Sequence, residues 1–504
     1  MNELNLPYAS YAATGEQCRE ADRLTIEKLG VDGFTLMETA GMQAAEWIGE
    51  KAERGSSGLF ICGNGNNGGD GLVAARYLAI VHQHTCHILF PAFDKPFSED
   101  ARRNLEILKK LAGLKSIDIN FHYSLDEIGN FEPDYIVDAL LGTGLTSDLR
   151  APFDQVVRKI NSSSRPVFSF DIPSGLHTDT GQPMPEAVRA THTLTFGTEK
   201  LGFYLDQGPD HTGETHLFNL SFPVDYRPAY TALLRPEIIG QLPSVERKAE
   251  HKYSGRVLYL LAGSRGLTGA AILAASAGWK TGVGAVILIT PGALMEIYEK
   301  NLPDVIKTSV SSGKEDRFQT SHLKETLKIL NRKKGALLIG PGIGRDKSTL
   351  EFATRILEQF EGPAVIDADA LYADPFARPN SETIRVLTPH PGELSHLTQT
   401  SGQSDFERLQ AVTQLAEVKQ ATIVSKGYPT FVGTPQKENY LTTYDTRLFA
   451  RAGFGDILSG AIAGNLAITD NEVLSIARAL LDGYHRAIEI KNRQQSPPEP
   501  KDLL

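Results

Sequence analysis

Apolar residues in this chain fall in short runs separated by stretches of helical spacing. Runs at 58–62, 85–90, 134–138, 166–170 and 191–196 predict strands, and 3.6-residue periodicity predicts helices over 70–81, 98–112 and 151–161. Continuous apolar strands alternating with helices imply a parallel sheet covered on both faces. Ahead of the first strand, Thr14-Gly15-Glu16-Gln17 has the form of a capping box and opens a helix through about residue 29. A second helix over 36–47 carries Met37, Ala40, Ala44 and Trp47 on one face. These two helices are expected to form a cap or an association surface, with residues 1–13 as an arm.

The rhythm breaks between about 217 and 245, where Pro223, Pro228, Pro236 and Pro243 lie among Asp225, Tyr226 and Arg227. The expected domains are therefore 1–222 and 223–504, with His251-Lys252-Tyr253-Ser254-Gly255 leading into the second. A second α/β series follows, with strands expected at 256–262, 284–289, 336–339, 364–367, 385–388, 421–425 and 430–432. Small-residue helices are expected at 269–280 and 456–468. The tail after about 492, Gln494-Gln495-Ser496-Pro497-Pro498-Glu499-Pro500, is expected to be disordered.

Composition narrows the field. The 504 residues are 41% hydrophobic and 22% charged, as in globular domains with full cores. A net charge of −10 disfavours a nucleic-acid or anionic-membrane binder, so an anionic ligand must be held by local backbone dipoles. Cys18, Cys62 and Cys86 have no metal spacing and are expected to be reduced, cytosolic thiols. The first residues lack the basic and apolar regions of a signal peptide, and no run is long enough to span a membrane. The paired N-terminal helices and doubled domain favour a homo-oligomer.

The chemistry sits at the ends of the apolar runs. Gly63-Asn64-Gly65-Asn66-Asn67-Gly68-Gly69-Asp70-Gly71 links a strand to a helix and contains G-x-G-x-x-G, a dinucleotide fingerprint. The acidic ribose partner of an NAD site is missing: the next connection reads His82-Gln83-His84 and its strand ends in Pro91. A phosphate-bearing ligand that is not a hydride carrier fits better. Asp171, followed by Ile172-Pro173-Ser174-Gly175, is either a general base in the crevice or a turn cap. Asp138, before Ala139-Leu140-Leu141-Gly142-Thr143-Gly144, joins Asn67 and Ser174 as hard oxygen donors suited to a magnesium-, sodium- or potassium-type ion. His82, His84 and His87 are expected to be a solvated surface cluster.

In the second half, Gly453-Phe454-Gly455-Asp456 starts a helix. Its N–H groups can hold an anion, and Asp456 is expected to stay ionised there and to accept a hydroxyl proton, as phosphoryl transfer requires. Lys426-Gly427-Tyr428-Pro429-Thr430 can meet a nucleotide phosphate or simply turn a hairpin. Gly340-Pro341-Gly342-Ile343-Gly344 and Thr388-Pro389-His390-Pro391-Gly392-Glu393 end strands at the same crevice.

Taken in order, these motifs resemble the two-domain NAD(P)H-hydrate repair family over roughly residues 8–490. Ala262-Gly263-Ser264 and Gly269-Ala270-Ala271 add to the match. The resemblance implies an α/β chain with an N-terminal three-layer αβα Rossmann-like epimerase domain and a C-terminal ribokinase-like dehydratase domain. It implies a nicotinamide cofactor carrying added water, NADHX or NADPHX, as substrate. The first domain would interconvert the R and S forms, and the second would dehydrate the S form at the expense of ADP.

Carried over residue by residue, Asn66, Asn67, Gly68, Gly69 and Asp70 would contact the hydrate. So would Gly142, Thr143, Gly144, Leu145, Thr146, Ser147 and Asp148. Asp171 would be the acid/base, and Asn67, Asp138 and Ser174 would hold potassium. Ala270, Gly344, His390 and Asp456 would line the second hydrate site. Lys426, Gly427, Tyr428, Pro429, Thr430 and Gly455 would hold ADP, which brings magnesium. The chain departs from the family at Phe454, where threonine is usual, at Thr446-Arg447, where Asn-Pro is usual, and at Thr39, where asparagine is common. A ribokinase-type small-molecule kinase fused to a nucleotide-binding module, and a non-catalytic first half, are the competing readings.

Overall fold

The computed structural model describes Leu4 and residues 11–129, 131–145, 147–220, 222–226, 231–243, 256–400 and 404–504. Most of the expected arm, Thr146, parts of the proline-rich boundary and the lead-in 251–255 lie outside the described residues. The chain forms two compact units, one holding Tyr11–Thr231 and Ser404–Phe406, the other including Ala232–Gln403 and Glu407–Leu504. The main division thus falls at 231/232, against the expected 222/223.

The N-terminal unit contains β1 (Tyr11–Ala13), β2 (Ser57–Cys62), β3 (Thr85–Leu89), β4 (Ile119–His122), β5 (Tyr135–Ala139), β6 (Val167–Phe170), β7 (His192–Phe196), β8 (Glu199–Lys200) and β9 (Glu214–Phe218). Seven of them form a sheet in the order β4-β3-β2-β5-β6-β7-β9, parallel throughout. Alternate residues of β2 enter opposite cores. Phe60 and Cys62 pack with Ala44, Leu72 and Leu78; Leu59 and Ile61 pack with Val156, Val157 and Ile160. Each such buried side chain contributes about 1.5–3 kcal/mol of transfer free energy, and together they fix helices on both faces.

Two local expectations are corrected here. The helix expected from residue 70 starts at Asn66, so the asparagines and glycines form its first turn. A Cβ on Gly68 would lie 1.8 Å from the Gly63 carbonyl oxygen, which is why this turn can close onto the strand end. His84 is also no surface residue. It is buried, with its Nδ1 2.8 Å from the Tyr135 hydroxyl.

The C-terminal unit adds β10 (Thr231–Leu234), β11 (Val257–Leu261), β12 (Ala285–Thr290), β13 (Ile306–Ser309), β14 (Gly335–Ile339), β15 (Ala364–Ile366), β16 (Arg385–Leu387), β17 (Thr422–Ser425), β18 (Phe431–Gly433) and β19 (Asn439–Thr442). Strands β13-β12-β11-β14-β15-β16-β17 are parallel, β18 and β19 continue antiparallel, and β10 runs parallel to β19. Helices Thr268–Lys280 and Phe454–Thr469 pack closely through small residues; a Cβ on Gly460 would lie 2.3 Å from the Ala274 carbonyl oxygen. The tail expected to be disordered is ordered. A helix runs to Gln494, and the short 3₁₀ turn Pro500–Leu503 buries Leu503 against Phe454, Ile457 and Ala487. Apolar burial, supplied by the last few residues, outweighs the polar, proline-rich segment before them.

Candidate active sites

In each unit the strand order reverses beside the first long strand, and the candidate residues gather at the carboxyl ends of the parallel strands. In the N-terminal unit the reversal lies between β2 and β5. The helix Asn66–Val81 brings its first turn to it, β5 brings Asp138, and the chain leaving β6 brings Asp171 and Ser174. A Cβ placed on Gly142 would sit 3.3 Å from Asn67 Cβ and 3.5 Å from Asp171 Oδ2, so three separate motifs meet at this glycine.

Asp138 is fully buried. Its Oδ1 accepts from the Ser174 hydroxyl at 2.6 Å and the Leu140 N–H at 3.4 Å; its Oδ2 accepts from the Ser169 hydroxyl at 2.8 Å and the Ser174 N–H at 2.9 Å. Burial raises its pKa, and the Ser174, Ser169 and Leu140 hydrogen bonds pull the other way. Asn67 is the reverse case, with both amide atoms buried and without a hydrogen-bond partner. An orphaned carbonyl oxygen beside an oxygen-rich loop suits a monovalent cation.

Asp171 adopts φ 63°, uncommon for a residue other than glycine. Its carboxylate pairs with the buried Lys200 ammonium, which also donates to Thr195 Oγ1 at 2.7 Å and the Thr198 carbonyl at 2.9 Å. Burial works against the Lys200 charge, but Asp171, Cys18 and Asp22 outweigh it and hold its pKa above the usual lysine value. Around this pair, burial and then Asp171 raise Asp70 well above the carboxylate range. The protein packed around the Asp22 carboxyl, together with Asp171, lifts it to about 6, although part of that side chain stays exposed. Burial pushes the Cys18 thiol up to about 12.

Lys200, Asp22 and Cys18 escaped the sequence reading. Helix Gly15–Glu27, expected only as a cap, sets Cys18 and Asp22 four residues apart and so on one face. The i, i+4 spacing was available as a signal. Lys200 had none beyond its place after a short apolar strand. Thr143 lies beside the start of this helix, its carbonyl 3.5 Å from a Cβ built on Gly15. Ser147 and Asp148 are exposed, Gly144 is open to space, and Leu145 packs beside the Leu59–Ile61 core.

In the C-terminal unit the reversal lies between β11 and β14, but the candidate residues gather instead past the carboxyl ends of β15, β16 and β17. A cavity of about 750 Å³ is lined by Asp367, His390, Lys426, Gly427, Tyr428, Thr430, Thr446, Arg447, Gly455 and Asp456, among others. The helix bearing Asp456 starts from Gly453 at φ 98°, a left-handed turn that leaves the following N–H groups facing the cavity mouth. Lys426 Nζ would be 3.4 Å from a Cβ on Gly455, and it donates to Asp367 Oδ1 at 2.8 Å. Asp367 is buried and also accepts from the Thr388 hydroxyl at 2.8 Å. Burial, then Asp367, lifts Asp456 to about 6, with Lys426 opposing and Asp369 adding. Desolvation works against the ionised form expected of this acid, yet a pKa of about 6 leaves Asp456 mostly ionised at neutral pH.

Asp367 was missed although it ends an apolar run as Asp138 and Asp171 do; the same rule identifies it. His390 caps helix Pro391–Thr398, its Nδ1 accepting from the Gly392 and Glu393 N–H groups, and still lines the cavity. Pro429 contributes its carbonyl to Arg408 at 2.7 Å rather than a wall. Ala270 and Gly344 are not in the wall either. Ala270 lies 3.3 Å from a Cβ on Gly342, and the Gly344 N–H donates to Asp369 at 3.0 Å. Arg447 stands 4.5 Å over the Tyr428 ring, and the Thr446 hydroxyl donates to the Gly427 carbonyl. Phe454 is buried edge-on to Phe449 at 5.4 Å beside Leu503.

Residues 33–202 match the family model described as YjeF-related protein N-terminus, and residues 258–496 that of NAD(P)H-hydrate dehydratase. A bifunctional NAD(P)H-hydrate repair enzyme from Salinibacter ruber is 31% identical, over 97% of this chain and 93% of its own. One from Moorella thermoacetica is 33% identical, over 90% and 87%. An ADP/ATP-dependent NAD(P)H-hydrate dehydratase from Bacillus subtilis, crystallised with ATP and magnesium, is 25% identical over 52% of this chain and 92% of its own, with a TM-score of 0.43.

Proposed function

This chain belongs to the family of bifunctional NAD(P)H-hydrate repair enzymes, and from that premise we propose how its two crevices divide the repair. The N-terminal site epimerises the hydrate at C6. The C-terminal site dehydrates the S form, with ADP as phosphoryl donor. The observation that carries the reading is the Asp456–Lys426–Gly455 arrangement, a half-buried carboxyl beside a lysine and a helix N-terminus at one cavity wall.

In the first site the helix turn Asn66, Asn67, Gly68, Gly69 and Asp70 receives the dinucleotide, with Gly142, Thr143, Gly144, Leu145, Ser147 and Asp148 beside it. Asp171 takes the proton of the C6 hydroxyl. The carbonyl forms, the C6–N1 bond breaks, and reclosure on the other face with return of the proton inverts the centre. Lys200 holds the Asp171 carboxylate in place. Asn67, Asp138 and Ser174 would hold potassium. That ion would place positive charge next to the phosphates.

In the second site Asp456 takes the C6 hydroxyl proton as the oxygen attacks the terminal phosphorus of ADP and AMP leaves. Lys426 and the N–H groups from Gly455 receive phosphate charge. N1 electrons then expel phosphate, a ring proton is lost and the double bond returns. Gly427, Tyr428 and Thr430 hold the adenine nucleotide with Pro429 shaping their turn, and His390 holds the hydrate side, while Ala270 and Gly344, outside the cavity wall, take no direct part. The mutual crowding of Asp367, Asp369 and Asp456 suits magnesium arriving with ADP. The three free thiols support a cytosolic place of work, and a homo-oligomer is the proposed assembly. Among the described residues, no helix is long and apolar enough to cross a membrane.

The test mixes full-length protein with mixed-epimer hydrated NADH, magnesium and ADP. Reduced-nicotinamide absorbance should return with one phosphate released per cofactor. Consumption of nucleotide with a stable phosphorylated product and no absorbance would instead identify a small-molecule kinase.

A further inference from the structure

We propose that His192, Glu214 and His216 form a binding site for one divalent transition-metal ion of the zinc class, at the amino-end edge of the N-terminal sheet. The inference rests on the geometry of that unit alone and not on the repair reaction.

His192 and Glu214 are the first residues of β7 and β9 and face each other in register; His216 is opposite Leu194. Residues two apart on parallel neighbours share a face, so all three side chains stand together. His192 Nδ1 lies 3.2 Å from His216 Nε2 and 3.5 Å from Glu214 Oε2; His216 Nε2 lies 3.6 Å from Glu214 Oε1. Zinc-to-ligand bonds of about 2.0–2.1 Å place ligand atoms about 3.3–3.4 Å apart on a tetrahedron. The two ring nitrogens are close to that edge length apart, and the Glu214 carboxylate comes nearly as close to each, through Oε2 to His192 and through Oε1 to His216. Among the described residues, no other group of three or more potential ligands converges in this way.

The surroundings hold the rings in place. The Trp47 ring is 4.4 Å from His216 and 5.0 Å from His192, centroid to centroid, and covers one side of the pair. Glu214 stays largely exposed, leaving an approach from solvent. Two imidazoles and one carboxylate select zinc, nickel or copper over magnesium, so nucleotide-borne magnesium does not compete. Three protein ligands leave a fourth position for water. The crevice holding Asn67, Asp138 and Asp171 lies at the opposite, carboxyl ends of the strands, so the ion would pin the edge strand β9 rather than enter the chemistry.

A second histidine pair provides an internal control: His87 Nδ1 is 3.0 Å from His122 Nε2, without the same three-ligand convergence. Full-length protein stripped with chelator is titrated with Co(II), followed by visible d–d absorption, and then back-titrated with zinc. One Co(II) per chain should bind in a four-coordinate spectrum, be displaced by zinc, and raise the melting temperature. His216→Ala should lose it, and Glu214→Gln, at an exposed edge that tolerates substitution, should weaken it by at least about tenfold, or 1.4 kcal/mol. His122→Ala should bind as wild type does. No stoichiometric binding by the wild type overturns the site. So does unchanged binding in Glu214→Gln together with loss in His122→Ala.

Discussion

The two crevices are built from the same parts but wire them differently. Each has a glycine-opened helix carrying an acid near its start, and each has a buried lysine–aspartate pair at the carboxyl end of a parallel sheet. In the N-terminal unit the lysine holds Asp171, the proposed acid/base, and the helix acid Asp70 is pushed well up by burial. In the C-terminal unit Lys426 holds Asp367, and the helix acid Asp456, the proposed base, is lifted to a pKa of about 6. The difference teaches that the glycine-aspartate turn does not itself define a role. The two sites differ in which carboxylate the lysine occupies.

The contrast breaks most visibly at Asp456. Asp456→Asn should lower dehydration of the S hydrate by about 10²–10⁴-fold while sparing epimerisation, measured by single-epimer assays. Next in size is a stability effect on the other side. Asp171→Leu strands the buried Lys200 ammonium and should cost about 3–5 kcal/mol in denaturant unfolding, whereas Asp171→Asn keeps an acceptor and should cost much less. The proton inventory sharpens the comparison further. As a base, Asp456 must be ionised, so dehydration kcat/KM should fall as pH drops through about 6. Because Lys426 lowers that pKa, Lys426→Met should move the limb to higher pH. The smallest effect belongs to Arg447→Ala. Removing its stacking on Tyr428 forfeits about 0.5–1 kcal/mol, seen as a two- to five-fold rise in the KM for ADP.

The motifs that were legible in the sequence are local ones. Acids ending apolar runs, such as Asp138 and Asp171, and glycines opening helices state their place within a few residues. What was not legible depends on contacts distant in sequence. Lys200 is buried because Asp171, 29 positions earlier, meets it. Asp456 is lifted by burial and then by Asp367, and Phe454 is absorbed by a tail whose last residues bury Leu503. Edge strands β4, β9 and β13 were missed for a related reason: they end their sheets, mix polar with apolar residues and carry no continuous run.

The division of labour between the crevices is tested most directly by assaying Asp171→Asn with ADP on separated R and S hydrates. The S form should be repaired at the wild-type rate, and the R form should lag at its spontaneous epimerisation rate. Equal, wild-type rates on both forms would contradict the assignment of epimerisation to Asp171.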